Sequence, residues 1–571
     1  CTPILYYVYA YYFDRDKKDD LGIICGDFFD FNEVDRPSRL QVDTLGCDID
    51  VYIYFLKNVC IAKTLDDSLF IFDSSEERDQ ERIEICNILS KMDSDNIEIY
   101  GQEIRDIIQK LMINKELKKI DESRIHVNVD GIRTRLNSTD VTGKKFDSSI
   151  KNDFQRLQFY LDERSHQWFA LIKGESNSFD ELHSALNRLL KEIVFKVRNA
   201  FVSSDEFGLD GYLSLNIRHN TLQDELRSPF HKEMLLPKRD SKNKRFVVDD
   251  SWTRFLKTKD EKLVEQAFED FYNETEGILT KLVTKYIQIK TEEKNVEGLF
   301  DYCLYEDDIV YLWSVTENIE EFEDFFNAII EFLWLRTERN LEYVKKVIHT
   351  EIKNDYLNAL HNFADKVETI DNSQVSKKLI EKISEAEIDL QNSLDHISYW
   401  FQRSNESMYS DFELQFAFDL GLQTVKNLHH EKEFIAIALE PSCSDKIAGE
   451  YLKFYDGIFY NIFDNIYKKA MTERDGRKII IKYKLRNQNN KTYIYVENKF
   501  DCSGDIEGEL KKLETAKELW RSGRYLDKVR GEGGTGIPKI CKIIQYDLGK
   551  KADICFDYDL DQNIFFIKIE F

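Results

Sequence analysis

The chain has 571 residues, of which 42% are apolar and only 6 are Pro, so it exceeds the size of one hydrophobic core and predicts several ordered domains. Its net charge of −26 argues against a nonspecific nucleic-acid coat, because counterion release needs clustered cations. The 10 Cys residues form no CxxC pair, and no apolar run approaches the roughly 18 residues of a membrane span, so we expect a cytoplasmic protein with reduced thiols and no membrane partner.

The N-terminal region, residues 1–130, combines short aromatic runs with a later helical period. The runs at Ile4–Phe13, Asp48–Leu56 and Ser68–Phe72 are separated by Gly, Asp and Asn turns, a pattern typical of a small sheet. Residues 78–120 have the period of a helix. We therefore expect a mixed α/β N-terminal domain. Because the sequence opens on Cys1 and not on Met, we expect it to be a piece of a longer polypeptide.

The next region, residues 131–335, is predicted to be mainly helical. A polar patch at Arg124–Val141 looks strand-like, and residues 150–202 then carry apolar side chains at helical spacing. The segment Gly211–Met234 concentrates charged side chains within ten residues: Arg218, His219, Asp224, Glu225 and Arg227. Such a density fits either a structural polar network on a capped helix or a partner-sensing site, and both interpretations stay open.

A helical hairpin is predicted over residues 336–410. Apolar residues recur at spacings of three and four from Glu317 to Arg403, with one interruption at Thr369–Ser373. Two helices of about thirty residues would form an antiparallel hairpin about 45 Å long. Because a lone hairpin would expose its apolar seam, we expect a homodimer formed through this element.

Two motifs in residues 411–571 suit a bound polyphosphate. Asn461, Asn465 and Lys468 recur at i, i+4 and i+7 and share one stripe of a predicted helix, where amides and an ammonium can hold Mg²⁺ and phosphate oxygens. Downstream, Arg530–Ile537 contains four glycines and leads into the apolar helix Pro538–Ile544. Uncovered backbone N–H groups and a helix N-terminus favour phosphate binding there.

These motifs resemble the N box and the G2 box of the GHKL (Bergerat-fold) ATPase superfamily, most closely its histidine-kinase-type domains. Between them the chain is β-rich at Lys478–Leu485 and Thr492–Val496, and Asn498 stands where the adenine-reading Asp of the G1 box should be. The resemblance covers Asp411–Phe571 and implies a C-terminal α/β sandwich. The whole chain is then an α+β multidomain protein with largely helical N-terminal and central regions and a long helical hairpin.

The resemblance also implies a site for ATP and Mg²⁺. It assigns Asn465 to the metal, Lys468 to a phosphate oxygen and Asn498 to the adenine edge, with Asn461 on the same stripe. Residues Gly504–Lys528 would form the lid. The phosphates would contact the loop and the helix start that follows it, at Gly531, Gly533, Gly534, Thr535, Gly536 and Ile537.

Three functions remain open at this point. Hydrolysing members of the superfamily have Glu where this chain has Asn461, and an amide is no general base, which favours a nucleotide-gated switch or slow ATPase coupled to the helical region. Kinase members carry Asn there and need an acceptor, for which the hairpin offers His349 and His361. His349 lies beside the apolar seam but is followed by Thr350 where the family has an acid. The alternatives are thus a histidine kinase that passes phosphate to a receiver domain on a protein partner, or an ATPase subunit of a prokaryotic defence assembly.

Overall fold

The computed structural model forms two compact units, Cys1–Lys118 and Lys119–Phe571. It describes residues 3–4, 7, 21–42, 48–66, 72, 74–122, 124–137, 150–172, 179–218, 221–239, 246–254, 256, 258–294, 297–370, 373–403, 409–429, 432–470, 478–500, 506–526 and 536–571. Within these ranges, no helix combines the length and the apolar character that crossing a membrane requires.

The N-terminal unit is helical in its described part, which corrects the expected small sheet. Its helices are α1 (Leu21–Phe31), α2 (Ile49–Tyr54), α3 (Ala62–Asp66), α4 (Ser75–Met92) and α5 (Ile97–Asp121), with 3₁₀ turns at Pro37–Arg39 and Ser94–Asn96.

The segment Asp48–Leu56, predicted as a strand, forms α2 and runs into a π-helical turn at Phe55–Val59. Asp48 caps α2 by accepting a hydrogen bond from the backbone N–H of Asp50. The buried side chains Tyr52, Phe55, Leu56 and Val59 have the helical spacing i, i+3, i+4 and i+7. The strand prediction was wrong because it relied on the aromatic and β-branched composition of the segment and not on this spacing. The other two predicted strands lie largely outside the described residues.

The second unit begins with a helical region around one hydrophobic core that extends from Ile125 to Phe401. Its helices are α6 (Val129–Asn137), α7 (Ile150–Ile172), α8 (Phe179–Ser203), α9 (Leu209–Leu213), α10 (Thr221–Lys232), α11 (Asp250–Thr253), α12 (Thr258–Lys281), α13 (Glu306–Thr316), α14 (Phe322–Val347), α15 (Lys353–Glu368) and α16 (Ser373–Trp400). Two-residue strands pair as β1 (Lys238–Arg239) with β2 (Phe246–Val247) and as β3 (Ile289–Lys290) with β4 (Phe300–Asp301). π-helical turns lie at Ser214–Arg218, Leu282–Tyr286 and Ile348–Ile352.

The strand-like patch at Arg124–Val141 is corrected to helix α6 in its described part. Asn128 caps this helix, since its side-chain oxygen accepts a hydrogen bond of 2.8 Å from the N–H of Gly131. Ile132 and Leu136, one turn apart, are both buried. The cap and this spacing outweigh the β-branched composition of the patch.

The predicted hairpin is present, with α14, the turn at Ile348–Ile352 and α15 forming its first arm and α16 its second. The predicted boundary between residues 335 and 336 lies inside α14. Helix α12 packs on α15, where Phe271 stacks on Phe363 at 4.7 Å between ring centroids, and α10 packs on α16. The apolar seam is therefore covered by helices of the same chain, which removes the argument that led us to expect a dimer.

The C-terminal region contains a mixed sheet flanked by helices. The strands are β5 (Glu433–Ala438), β6 (Cys443–Ser444), β7 (Lys478–Gln488), β8 (Lys491–Lys499), β9 (Asp553–Asp559) and β10 (Ile564–Glu570), in the spatial order β5-β7-β8-β10-β9, with β6 also pairing with β7. The helices are α17 (Leu414–Leu428), α18 (Leu452–Lys469), α19 (Ile506–Ser522) and α20 (Gly536–Lys542), with a 3₁₀ turn at Gly449–Tyr451 and a π-helical turn at Ile543–Asp547.

Strands β5 and β6 run parallel to β7, and the remaining neighbours are antiparallel. Alternate residues of β7 and β8 are buried, so this sheet has one face against the core. Strands β7 and β8 and helices α18 and α20 lie where the sequence predicts them, because strand alternation and helical periodicity are properties of the local sequence.

Candidate functional site

The C-terminal region encloses a cavity of about 540 Å³, a volume typical of small-molecule sites. It lies among α18, α19, α20 and strands of the sheet. Its lining is formed by Ile462, Asn465, Ile466, Lys469, Asn498, Phe500, Lys512, Leu513, Thr515, Ala516, Leu519, Gly536, Ile537, Ile540, Tyr558, Phe565 and Ile567. None of these lining residues carries a carboxylate, and their polar groups are two amides, the hydroxyls of Thr515 and Tyr558, and two ammonium groups.

Asn465 and Gly536 meet at one wall of the cavity. The Asn465 amide nitrogen donates a hydrogen bond of 2.7 Å to the carbonyl oxygen of Asn461. Because the nitrogen is used in this way, the side-chain oxygen is the atom suited to a hard cation. A Cβ at Gly536 would overlap the Asn465 amide, so any other residue here would force that side chain to move.

Asn498 contributes a buried acceptor to the same cavity. Its side-chain nitrogen donates to the carbonyl oxygen of Lys499 at 2.8 Å, and the residue is only 4% exposed. Its Oδ1 atom is buried and accepts no hydrogen bond from the residues that the structure describes. An orphaned buried acceptor is costly unless a ligand or water supplies a donor, and the exocyclic amine of adenine has that chemistry. The residues present therefore fit the group that the sequence implies.

Asn461 and Lys468, predicted with Asn465, do not line this cavity. Asn461 donates to the carbonyl oxygen of Gly457 at 2.7 Å and borders a separate cavity of about 70 Å³. The Lys468 ammonium lies 2.8 Å from Asp464 Oδ2 and 4.0 Å from Asp224 Oδ2.

Lys469 lines the cavity instead of Lys468. At about 100° per residue, Lys469 lies about 40° from Asn465 on α18, and Lys468 lies about 60° away in the opposite direction. The spacing of i and i+4 from Asn465 could have identified Lys469. The i and i+4 spacing of Asp464 and Lys468 is also visible in the sequence, whereas the approach of Asp224 is not.

The glycine loop is described only at its end. Gly531, Gly533, Gly534 and Thr535 lie outside the described residues, whereas Gly536 and Ile537 begin α20 and line the cavity. The predicted lid contains α19, and Lys512, Leu513, Ala516 and Leu519 of this helix also line the cavity. Their spacing is that of a single helix face, so α19 covers the cavity with one apolar stripe and a cation.

His349 lies in the π-helical turn of the hairpin with a half-exposed side chain. Its Nε2 atom is 2.7 Å from Ser398 Oγ, and its Nδ1 atom is 3.6 Å from Asp395 Oδ1. Both partners belong to α16, the opposite arm. His361 is exposed on α15. The proximity of a carboxylate of the second arm to His349 could not be predicted from the sequence, because Asp395 lies 46 residues downstream.

His396 is a third hairpin histidine, which sequence reasoning did not consider. Its Nε2 lies 2.9 Å from Asp121 Oδ2 and its Nδ1 lies 3.1 Å from Glu225 Oε1. Burial alone lowers the pKa of this imidazole, but hydrogen bonds and charge from the two carboxylates outweigh it and raise the pKa to about 10. A doubly engaged imidazolium has no lone pair to accept a phosphoryl group.

The polar segment Gly211–Met234 forms a network through α10. Arg227 makes two hydrogen bonds of 2.6 Å to Glu276 of α12, and the Arg218 guanidinium lies 2.7 Å from Asp210. Asp224 lies beside Lys468 and His429 of the C-terminal region. His219 lies outside the described residues.

Two family models match the chain: Y4jQ over residues 144–401, and "y4jQ C-terminal putative histidine kinase domain" over residues 424–571. The "Uncharacterized protein y4jQ" of Sinorhizobium fredii is 22% identical over 551 residues, which are 89% of this chain and 48% of that protein. The "Detocs histidine-protein kinase DtcA" of Enterobacter cloacae is 20% identical over 550 residues, which are 93% of this chain and 46% of that protein. The chain thus spans about half the length of these curated relatives. Its C-terminal region, which contains the cavity, is a histidine-kinase-like domain.

Proposed function

We propose that the chain is a histidine protein kinase whose C-terminal domain has the GHKL (Bergerat) fold, binds Mg·ATP in the 540 Å³ cavity and phosphorylates His349. The observation that carries the proposal is the convergence of Asn465, Asn498 and Gly536 on one cavity of a histidine-kinase-like domain. These residues come from three elements that are far apart in sequence, and the chemistry of each is that of a nucleotide contact.

Each of these residues has a distinct role in the proposal. Asn498 Oδ1 accepts from the adenine amine, the side-chain oxygen of Asn465 ligates Mg²⁺, and the N-terminus of α20 at Gly536 faces the phosphates. Lys469 and Lys512, which both line the cavity, neutralise phosphate charge. Bound Mg·ATP supplies the transferable γ-phosphoryl group.

His349 has the exposure and partners that an acceptor requires. In the tautomer that keeps its proton on Nδ1, beside Asp395, the Nε2 lone pair is free to attack once Ser398 turns away. The Nε2–P bond forms as the bond between the γ-phosphorus and the bridging oxygen breaks, and ADP leaves with the electron pair. The carboxylate of Asp395 then balances the positive charge on the ring.

Incubation of the full chain with γ-³²P-ATP and Mg²⁺ tests the proposal. We expect label on the wild type that is stable in alkali and lost in acid, as a phosphorus–nitrogen bond is. His349→Ala should abolish it, whereas His361→Ala, a matched change on the exposed surface of the same arm, should leave it. Equal label in wild type and His349→Ala would contradict the choice of acceptor.

A second candidate is a nucleotide-gated switch without transfer. It is favoured by the contact between Asp224 on α10 of the helical core and Lys468 on α18 of the kinase-like domain, since this ion pair links the two regions. The same labelling experiment separates the two candidates. Nucleotide binding by calorimetry without covalent label on the wild type would support the switch and refute the kinase.

A further inference from the structure

We propose that Asp224, His429 and Asp464 bind a divalent transition-metal ion, of which Zn²⁺ fits best, and that this ion joins the helical core to the kinase-like domain. The site is separate from the nucleotide cavity, because none of the three residues lines it. The ligands come from α10, from the residue after α17 and from α18.

The distances among the three ligand atoms fit a tetrahedral metal. His429 Nε2 lies 3.5 Å from Asp464 Oδ1 and 3.7 Å from Asp224 Oδ2, and all three atoms lie within 4.8 Å of one another. Bonds of about 2.0–2.1 Å to a tetrahedral Zn²⁺ separate neighbouring ligand atoms by about 3.3–3.4 Å. A small inward movement of the side chains therefore completes three ligands and leaves the fourth position for water.

Two of the three ligand atoms are buried without a hydrogen-bond partner among the described residues. The three side chains are only 15%, 13% and 6% exposed for Asp224, His429 and Asp464. Asp224 Oδ2 and His429 Nε2 are buried atoms that make no hydrogen bond with any described part of the chain. Burial of a polar atom without a partner is costly, and coordination to a metal removes that cost.

The two carboxylates supply the negative charge that a divalent cation requires. Lys468 lies 2.8 Å from Asp464 Oδ2 and 4.0 Å from Asp224 Oδ2, and the charges of Lys539 and Arg227 also act on Asp464 and Asp224. An imidazole beside two carboxylates suits Zn²⁺ better than Mg²⁺ or Ca²⁺, which prefer oxygen ligands only.

The imidazole of His429 is held in a fixed orientation. Its ring stacks on Tyr467 with centroids 4.2 Å apart and planes 10° apart. The Tyr467 ring is also in contact with the ammonium of Lys432, which lies 4.9 Å from the ring centroid. A ligand fixed in this way loses little entropy on coordination, so the site is preorganised in the folded chain.

Equilibrium dialysis of the full chain with Zn²⁺ tests the site, after chelator treatment and without nucleotide. Elemental mass spectrometry should find one more Zn²⁺ per chain in the wild type than in His429→Gln or Asp224→Asn. His361→Gln, an exposed histidine of the helical core, is the matched control and should bind as the wild type does. Equal stoichiometry in the wild type and both cluster variants would overturn the proposal.

Cobalt replacement keeps the test decisive if a variant fails to fold. Co²⁺ in the wild type should give the visible bands of a four-coordinate ion without the near-ultraviolet thiolate charge-transfer bands that a Cys site would produce. Thiolate bands, or an octahedral spectrum only, would refute the assignment. Neither readout depends on ATP, so failure here is distinguishable from failure of the kinase proposal.

Discussion

At the residue scale, the proposed nucleotide site depends on the close contact of Gly536 with Asn465. We expect Gly536→Ala to weaken ATP binding at least tenfold, about 1.4 kcal/mol, because a Cβ there would displace the Asn465 amide that is assigned to Mg²⁺. Isothermal titration calorimetry measures the change. Gly277→Ala makes the same chemical change in α12, where a Cβ meets nothing within 4 Å. If Gly536→Ala and the wild type bound ATP with equal affinity, the assignment of Asn465 to the bound nucleotide would be wrong.

Asp456 is a buried carboxyl whose ionisation opposes folding at neutral pH. Burial raises its pKa to about 7, with a further increase from Asp121, although Arg124 opposes both. Between pH 4, near the ordinary pKa of Asp, and pH 7, the carboxyl is protonated in the folded state and ionised in the unfolded state. The free energy of unfolding therefore falls as the pH rises through this interval.

Asp456→Asn removes this titration while it preserves the shape of the side chain. We expect the stability of the variant relative to the wild type to increase by about 2–3 kcal/mol between pH 5 and pH 8, since only the wild type buries a charge at the higher pH. Urea unfolding at both pH values measures the difference. A difference that is independent of pH would show that Asp456 titrates at an ordinary pKa.

At the element scale, the position of α18 is set by its contact with α17. A Cβ at Gly421 of α17 would lie 2.6 Å from the Cβ of Phe459 and 3.1 Å from the backbone N of Tyr460. Neither atom can rotate away, because both are fixed to the backbone of α18. The two helices approach this closely only because residue 421 is glycine.

We expect Gly421→Ala to lower the free energy of unfolding by about 1–3 kcal/mol through overpacking. Denaturant unfolding measures the loss, with Gly277→Ala as the comparison, which should instead be neutral or stabilising by about 0.5–1 kcal/mol in a helix interior. If the Gly421→Ala variant were as stable as the wild type, α17 and α18 could move apart without a loss of folding free energy, and the prediction would be wrong.

At the scale of the whole molecule, the hairpin belongs to the helical core. Leu360 is fully buried in the core shared by α12, α15 and α16. We expect Leu360→Ala to lower stability by about 2–5 kcal/mol, as for other buried Leu truncations. Thermal unfolding followed by circular dichroism checks this, and a loss below about 1 kcal/mol would contradict the packing.

The homodimer and the partners remain predictions. Because the chain's own helices cover the seam, a dimer through the hairpin would have to use its remaining surface. Light scattering at micromolar concentration, with and without ATP, tests it, and a monomer under both conditions would refute it. A receiver-domain partner and a role in a prokaryotic defence assembly likewise stay predictions, since the chain spans about half of its curated relatives.

The sequence by itself determined strands β7 and β8, the helices of the hairpin, and the amide and glycine residues Asn465, Asn498 and Gly536 that line the cavity. Alternation in β7 and β8, the amides of α18 and the glycines before α20 are local signals, and each acts through neighbours a few residues away. Tertiary structure decided the rest. Lys468 pairs with Asp464, four residues before it, and Asp224, more than 200 positions upstream, adds a second carboxylate on that side. The covered seam depends on α10 and α12. Side-chain direction and burial are set by such distant contacts, which local periodicity does not encode.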